Sequence, residues 1–187
     1  DASRVRGVPA MVLEPAAERA RAAGKTGWLF QLDQPTYVAV VTHADDRELR
    51  KSVYRGWITR ASDQADYSPG HDNSVLMEQI LALRHEAARI VGYPNFAAYS
   101  LATKMAKSVD EVRDFLVDLV RHSRDAARRE LAELEAFAGR ELEPWDIAYY
   151  SQKLRHQRYS ISDEALRPYF PLPRVLSGLF TVVERLY

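Results

Sequence analysis

A single long helix is predicted between Ser108 and Gly139, and the rest of the chain must fold around it. Ser108 and Glu111 have the spacing of a capping box, in which the two side chains satisfy the first free N–H groups of a helix. Apolar residues then recur at helical spacing, and Gly139 is a suitable terminator. The charged stretch from Arg121 to Glu130 divides the apolar stripe. We therefore expect the core to hold this helix only at its two ends. The stripe comprises Val112, Phe115, Leu116, Leu119 and Val120 in the first half and Leu131, Leu134 and Phe137 in the second.

Helix signals follow one another along the remainder of the chain, with short loops and no internal repeat. Most predicted helices begin at a capping aspartate, asparagine or serine or at a proline, and several end at a glycine. The predicted fold is all-α, an irregular multi-helix domain with at most one short strand. The further helices are predicted at Pro9–Ala23, from Pro35 to His43, from Asp45 or Asp46 through Ile58, from Asn73 or Ser74 to Gly92, at Phe96–Ala106, from Pro144 to about Tyr159, and from near Arg174.

Trp28–Leu32 is the one strand candidate, because it is short, apolar and bounded by Gly27 and Asp33. A lone strand leaves backbone groups unpaired, so it needs a partner. The sequence offers no second strand. Either the partner lies outside these residues, or the segment is simply extended.

Composition excludes several classes of function. The chain has 187 residues, with 26 Lys plus Arg against 26 Asp plus Glu, so there is no electrostatic case for binding nucleic acid or an anionic membrane. It has no cysteine, which excludes a disulfide framework and a thiolate zinc cage. No apolar run approaches the roughly 20 residues that span a bilayer.

His85 and Glu86 resemble the start of a metallopeptidase motif but do not complete it. A His-Glu-x-x-His helix places two imidazoles four residues apart to bind zinc. Here Arg89 stands four residues after His85, and a guanidinium has no lone pair to donate. The other histidines lack a suitably spaced second ligand, and no serine or cysteine nucleophile motif is present. The sequence therefore predicts no catalytic residue and no metal ligand in this chain.

The stretch from Glu143 to Tyr159 contains the candidate binding residues. Pro144 suits the first turn of a helix, and Asp146 then shares a face with Tyr149 and Tyr150. Two interpretations remain open for these residues and for Trp145. They form either a buried polar seam between helices or a wall of a peptide channel.

A run of basic residues on the helix after Asp46 also has two interpretations. It is either a solvated face, which is the usual role of such a run, or a group that binds a peptide carboxylate. The run comprises Arg47, Arg50, Lys51 and Arg55.

Several motifs, in order along nearly the whole chain, resemble the oligopeptidase A and thimet oligopeptidase family of zinc metallopeptidases. The motifs are Thr59-Arg60-Ala-Ser62-Asp63-Gln64, Asp72-Asn73-Ser, Ile80-Leu-Ala-Leu83-Arg84-His85-Glu86, Ser100-Leu-Ala-Thr103-Lys104-Met105-Ala, Trp145-Asp146-Ile-Ala-Tyr149-Tyr150-Ser151, Tyr159-Ser-Ile-Ser-Asp163-Glu and Leu166-Arg-Pro168-Tyr169-Phe170-Pro171.

The resemblance implies an almost wholly helical, cytoplasmic enzyme that cuts short peptides in a deep channel. It also implies that the family's zinc motif lies downstream of the region matched here. Zinc would then belong to the parent enzyme, and this chain would bind none. Residues 1–187 are expected to be a single helical domain or partial domain from the non-catalytic part, supplying scaffold and channel wall.

Two further expectations treat the chain as a piece of a longer protein. It begins without Met and stops at Tyr187 within an apolar periodic run, which indicates an internal piece of a longer protein. Apolar surface normally covered by the missing lobe could make the piece self-associate. The alternative from another class is a non-enzymatic helical interaction or regulatory module.

Overall fold

The structure is a computed structural model that describes residues 1–64, 70–160 and 166–187. Eight α-helices lie within these ranges, and no β-strand does, so the all-α prediction is confirmed. Asp163, in one of the motifs above, lies outside the described residues. The helices are α1 (Ala10–Ala22), α2 (Gln34–His43), α3 (Arg47–Ile58), α4 (Ser74–Ile90), α5 (Phe96–Leu101), α6 (Val109–Ala138), α7 (Pro144–Tyr159) and α8 (Leu172–Leu186), with 3₁₀ turns at Ala2–Val5 and Arg167–Tyr169.

The helix ends follow the local signals in the sequence. The backbone N–H of Glu111 donates to Ser108 Oγ at 3.0 Å, and the Glu111 carboxylate accepts from the N–H of Lys107 at 2.7 Å. Gly139 follows α6 with φ +67°, a left-handed conformation in which glycine ends a helix without strain. Asp46 caps α3 by accepting from the N–H of Leu49 at 2.6 Å. These caps confirm the predicted starts of α3 and α6.

The core lies where α2 and α3 pack on each other and on the N-terminal segment. Val8, Val40, Ala44 and Val53 form the buried cluster. The partly buried side chains packed around it include Val12, Leu13, Phe30, Leu32, Tyr37 and Leu49. Helix α7 packs across both α2 and α3, and its other side packs on the second half of α6. These four helices position the candidate site.

Trp28–Leu32 is not a strand, so of its two interpretations the one without a sheet partner holds, and the segment connects α1 to α2. Its backbone is bound by residues of α1 and by Arg60, which follows α3, instead of by a second strand. The N–H of Leu29 donates to the carbonyl of Ala16 at 2.9 Å, and Arg19 donates to the Leu29 carbonyl at 3.1 Å. Arg60 donates to the carbonyl of Leu32 at 2.8 Å. These bonds engage three of the backbone groups that a sheet partner would otherwise bind.

Helix α5 departs from its predicted extent, and α6 departs from its predicted packing. Helix α5 ends at Leu101, so Thr103-Lys104-Met105 lies in the following turn and loop rather than in the helix. Within the described residues, α6 packs on α7 only along its second half, where Phe137 meets Tyr150. Its charged middle is exposed as predicted, but its first half is exposed as well. The expectation that the core holds both ends of α6 is therefore correct for one end only.

Gly7 is required where the N-terminal segment crosses the end of α2. Its φ is +85°, and a Cβ at this position would lie 2.2 Å from the carbonyl oxygen of His43. We expect Gly7→Ala to lower the free energy of unfolding by more than about 3 kcal/mol, because a close backbone contact adds to the strain of a positive φ. Urea titration followed by circular dichroism measures this loss.

Gly24→Ala is the matched control. Gly24 also has a positive φ, +65°, but open space surrounds the position of its Cβ. Gly24→Ala should lower the free energy of unfolding by only about 1 kcal/mol, because it adds backbone strain and no close contact. Equal losses at the two positions would contradict the close approach at Gly7.

Candidate functional site

The candidate site lies where the first turn of α7 meets the junction between α2 and α3. Pro144 opens α7, and the N–H of Glu143 donates to Asp146 Oδ2 at 3.3 Å. This bond turns the Asp146 carboxylate back over the start of its own helix. The Asp146 side chain is 0% exposed and is therefore fully buried.

Two arginines of α3 bind the buried carboxylate of Asp146. Arg47 donates through Nη2 to Oδ2 at 2.8 Å and through Nε to Oδ2 at 3.0 Å, while Arg50 donates through Nη2 to Oδ1 at 2.8 Å. The Arg50 side chain is 2% exposed, and that of Arg47 is 31% exposed. A buried carboxylate costs several kcal/mol in lost hydration, and paired guanidinium groups with good geometry offset that cost.

Arg50 also binds the chain at the α2–α3 junction. Its Nη1 donates to the carbonyls of Ala44 at 2.8 Å and Asp45 at 3.2 Å, and its Nε donates to the carbonyl of Trp145 at 3.3 Å. One guanidinium thus connects the end of α2, the helix α3 and the first turn of α7. Only the planar five-donor fork of arginine can make all these bonds together.

Trp145 lies between cationic side chains and an aromatic ring. The Arg47 guanidinium carbon and Lys51 Nζ lie 5.6 and 5.3 Å from the ring centroid of Trp145, both within cation–π range. The ring of Tyr54 meets Trp145 edge-on at 5.9 Å. The indole N–H of Trp145 is buried, and no hydrogen-bond acceptor meets it among the residues that the structure describes.

The two candidate tyrosines are half-buried on α7. Tyr149 lies against Arg50, whose guanidinium carbon is 4.1 Å from the ring centroid, and its hydroxyl donates to Asp45 Oδ1 at 2.9 Å. Lys153 lies 3.6 Å from the same carboxylate oxygen and faces the Tyr149 ring at 5.0 Å. Tyr150 packs edge-on against Tyr149 at 5.2 Å.

These surroundings shift the ionisation of two groups. Burial by itself would raise the pKa of Asp146, but the hydrogen bonds from Arg47 and Arg50 outweigh it and hold that pKa below its usual value. The pKa of Tyr149 is raised, first by burial and then by the hydrogen bond to Asp45. Near neutral pH, Asp146 is therefore a carboxylate and Tyr149 a neutral phenol.

The structure brings all four sequence candidates together, but in different environments. The Asp146 carboxylate is buried and bound by two arginines, as expected for a buried polar seam. The rings of Trp145, Tyr149 and Tyr150 are only half-buried. The basic run on α3 is not wholly a solvated face, because Arg50 is buried and Arg47 is bound to Asp146. The sequence missed both arginines as partners of Asp146. Their spacing of three places them on one helix face, but it does not reveal a partner nearly a hundred residues away.

His85 and Arg89 do not form a metal site. Both are exposed on α4. The described ranges contain no group of three His, Cys, Asp or Glu side chains that could hold a metal ion. None of the described helices is both long enough and apolar enough to cross a membrane.

Comparison with known proteins shows that the chain is similar to peptidases. A sequence model of Peptidase family M3 matches residues 40–187. The chain aligns over its whole length with oligopeptidase A of Salmonella typhimurium and of Escherichia coli, at 48% identity to each. It is 38% identical over its whole length to a probable cytosolic oligopeptidase A of Arabidopsis thaliana. The chain spans 28% of the length of each of these three relatives.

The chain therefore belongs to Peptidase family M3. This membership confirms the resemblance to the oligopeptidase A and thimet oligopeptidase family that the motifs indicate.

Asp146→Asn should be strongly destabilising, because it leaves the buried Arg50 guanidinium without its counter-charge. We expect a loss of about 3–5 kcal/mol in the free energy of unfolding. Asp118→Asn is the control, since Asp118 forms an exposed ion pair with Arg121 and should change stability by less than about 0.5 kcal/mol. Urea titration at pH 7 measures both, and equal small losses would contradict a buried ion cluster.

The stability of the protein should also depend on pH through Asp146. Because the folded-state pKa of Asp146 is depressed, its contribution is full above the unfolded-state value of about 4 and is lost as pH falls through the folded-state value. The urea midpoint should therefore fall more steeply between pH 5 and pH 3 in the natural protein than in Asp146→Asn. Parallel pH profiles would show that Asp146 keeps its ordinary pKa.

Proposed function

We propose that this chain is part of a zinc-dependent oligopeptidase, a metalloendopeptidase that hydrolyses short peptides with a metal-activated water. The observation that supports it is the 48% identity to oligopeptidase A over the whole chain, combined with coverage of only 28% of that relative. In this proposal, residues 1–187 are one helical domain or partial domain of the parent, which acts in the cytoplasm.

The zinc and its ligands belong to another part of the parent. Arg89 occupies the position where a second histidine would follow His85, and the described residues offer no other cluster of ligands. Zinc would supply the activated water of the parent enzyme. The contribution of this chain is structural, and the isolated 187-residue chain is expected to be inactive.

The scaffold role rests on the Asp146 cluster. The Arg50 guanidinium extends from α3 and bonds the backbone at the end of α2 and, through the Trp145 carbonyl and the Asp146 carboxylate, the first turn of α7. Catalytic geometry tolerates displacements of only a fraction of an ångström, so a wall of the active-site channel must be rigid. A fully bonded buried ion cluster provides such rigidity.

The channel-wall role falls on the aromatic residues of α7. Trp145, Tyr149 and Tyr150 present partly exposed rings that could pack against peptide side chains. The Tyr150 hydroxyl could donate to a peptide carbonyl, whereas the Tyr149 hydroxyl already donates to Asp45. Asp146 would act indirectly, by fixing the turn that carries these rings. The alternative of a non-enzymatic interaction module is not favoured, because the match to a peptidase family covers residues 40–187.

Tyr149→Phe and Tyr150→Phe in the full-length parent test this role. If the hydroxyls act in the channel, we expect kcat/KM to fall about five-fold, which corresponds to one hydrogen bond of about 1 kcal/mol. Tyr159→Phe is the control, because Tyr159 is an exposed residue of the same helix and should leave kinetics unchanged. Unchanged kinetics on several peptides for all three variants would contradict a wall formed by α7.

A zinc-dependence assay tests the wider proposal on the same preparations. The parent should cleave short peptides, lose activity on chelation and regain it with zinc, while the 187-residue chain should be inert with or without zinc. Hydrolysis by the short chain alone, or a parent that is indifferent to chelation, would contradict it.

A further inference from the structure

Three helices expose apolar faces of a kind that normally lies in a core. On α6, Leu116 and Val120 are 53% and 58% exposed, and the same face continues through Val112. The other two faces lie on α4 and α8, and none of α8 is buried. The large apolar residues exposed on them include Met77, Ile80 and Leu81 of α4 and Leu176, Leu179, Phe180, Val183 and Leu186 of α8.

The spacing of these residues is that of buried helix faces. Apolar residues recur three and four apart on each helix, as they do on α3, where Val53 is buried in the core. On α6 the face borders a groove of about 390 Å³ lined by Val109, Val112, Arg113, Leu116, Val117 and Val120. Scattered single apolar residues are normal on a surface, but continuous stripes on three helices indicate an interface.

The distribution of the stripes argues against a simple pair of identical chains. A two-fold dimer uses one self-complementary patch. Here the three stripes lie on helices that do not pack extensively on one another within the described residues, although the short α5 contacts both α4 and α6. Covering them requires a larger body that reaches several faces at once.

We propose that the occupant is helical, apolar and part of the same parent polypeptide, outside residues 1–187. This inference rests on the proposed function, and the relative lengths support it. The chain spans 28% of oligopeptidase A, so a matching parent would hold more than twice as many residues elsewhere.

The proposal assigns a boundary on α6. The apolar face of residues 109–120 is covered by the partner segment, residues 121–130 remain in water, and residues 131–138 pack on α7. The charge pattern supports the exposed middle. Residues 121–130 are largely charged and include the exposed ion pair of Arg128 with Asp125, which would be costly to bury.

Thiol reactivity in the full-length parent tests the boundary. The present chain contains no cysteine, so each introduced thiol is the only one within it. Leu116→Cys and Val120→Cys place thiols on the covered face, and Arg124→Cys places one in the charged middle. Maleimide labelling of the native parent, read by mass spectrometry at each site, gives the reaction rates.

We expect positions 116 and 120 to react at least about 100-fold more slowly than position 124, because a buried thiol reacts only when the interface opens. Equal rates at all three positions would overturn the inference. So would protection that disappears when an oligomeric parent is diluted to monomer, since a second copy would then be the occupant.

Peptide hydrolysis by the same variants separates this inference from the proposed function. If the thiols at 116 and 120 are protected but the parent cleaves no peptide, the proposed function is contradicted and the proposed interface is supported. If the parent cleaves peptides but the thiols at 116 and 120 react freely, only the proposed interface is contradicted.

Discussion

The Arg50–Asp146 ion pair is the interaction on which the arrangement of the packed helices depends. It joins residues on α3 and α7 at 2.8 Å, and both side chains are almost completely removed from water. Apolar packing alone would let α7 slide or rotate on α3 at modest cost, because hydrophobic contacts are not directional. A planar guanidinium that must meet a carboxylate and three backbone carbonyls accepts one orientation. We infer that the pair serves geometry more than net stability, as buried ion pairs do in some other proteins.

This constraint divides the molecule into two kinds of helix. Helices α2 and α3 share the apolar core, α7 packs on both and joins them through the ion cluster, and α6 packs on α7. The helices α4 and α8 and the first half of α6 expose the side chains that a core requires. The ion-paired group carries the aromatic candidates, and the open helices carry the proposed interface. The proposed scaffold and docking roles therefore fall on different parts of one chain.

Much of the fold could be predicted from sequence because its signals are local. The helix cap at Ser108, the left-handed Gly139 and Pro144 at the start of α7 each act within one helical turn, and each is confirmed. The segment Trp28–Leu32 does not form a strand, and side chains from outside it, Arg19 of α1 and Arg60 after α3, bind its backbone. No local pattern carries that information.

The candidate site was predictable only in part, for the same reason. The helix spacing placed Asp146 beside Tyr149, and both side chains contact Arg50, but Tyr150 also packs on Phe137 of α6. It could not show that Arg50 is buried, because a basic residue in a charged run is usually solvated. The partnership joins residues 96 positions apart, and only the tertiary fold reveals it.

A double-mutant cycle between Arg50 and Asp146 tests the central claim most directly. The free energies of unfolding of Arg50→Met, Asp146→Asn and the double variant give the coupling between the two side chains. If the pair fixes α7 on α3, the coupling should be at least about 2 kcal/mol, with the double variant little worse than either single one. A coupling near zero would show that the two charges contribute independently, and that another interaction holds these helices together.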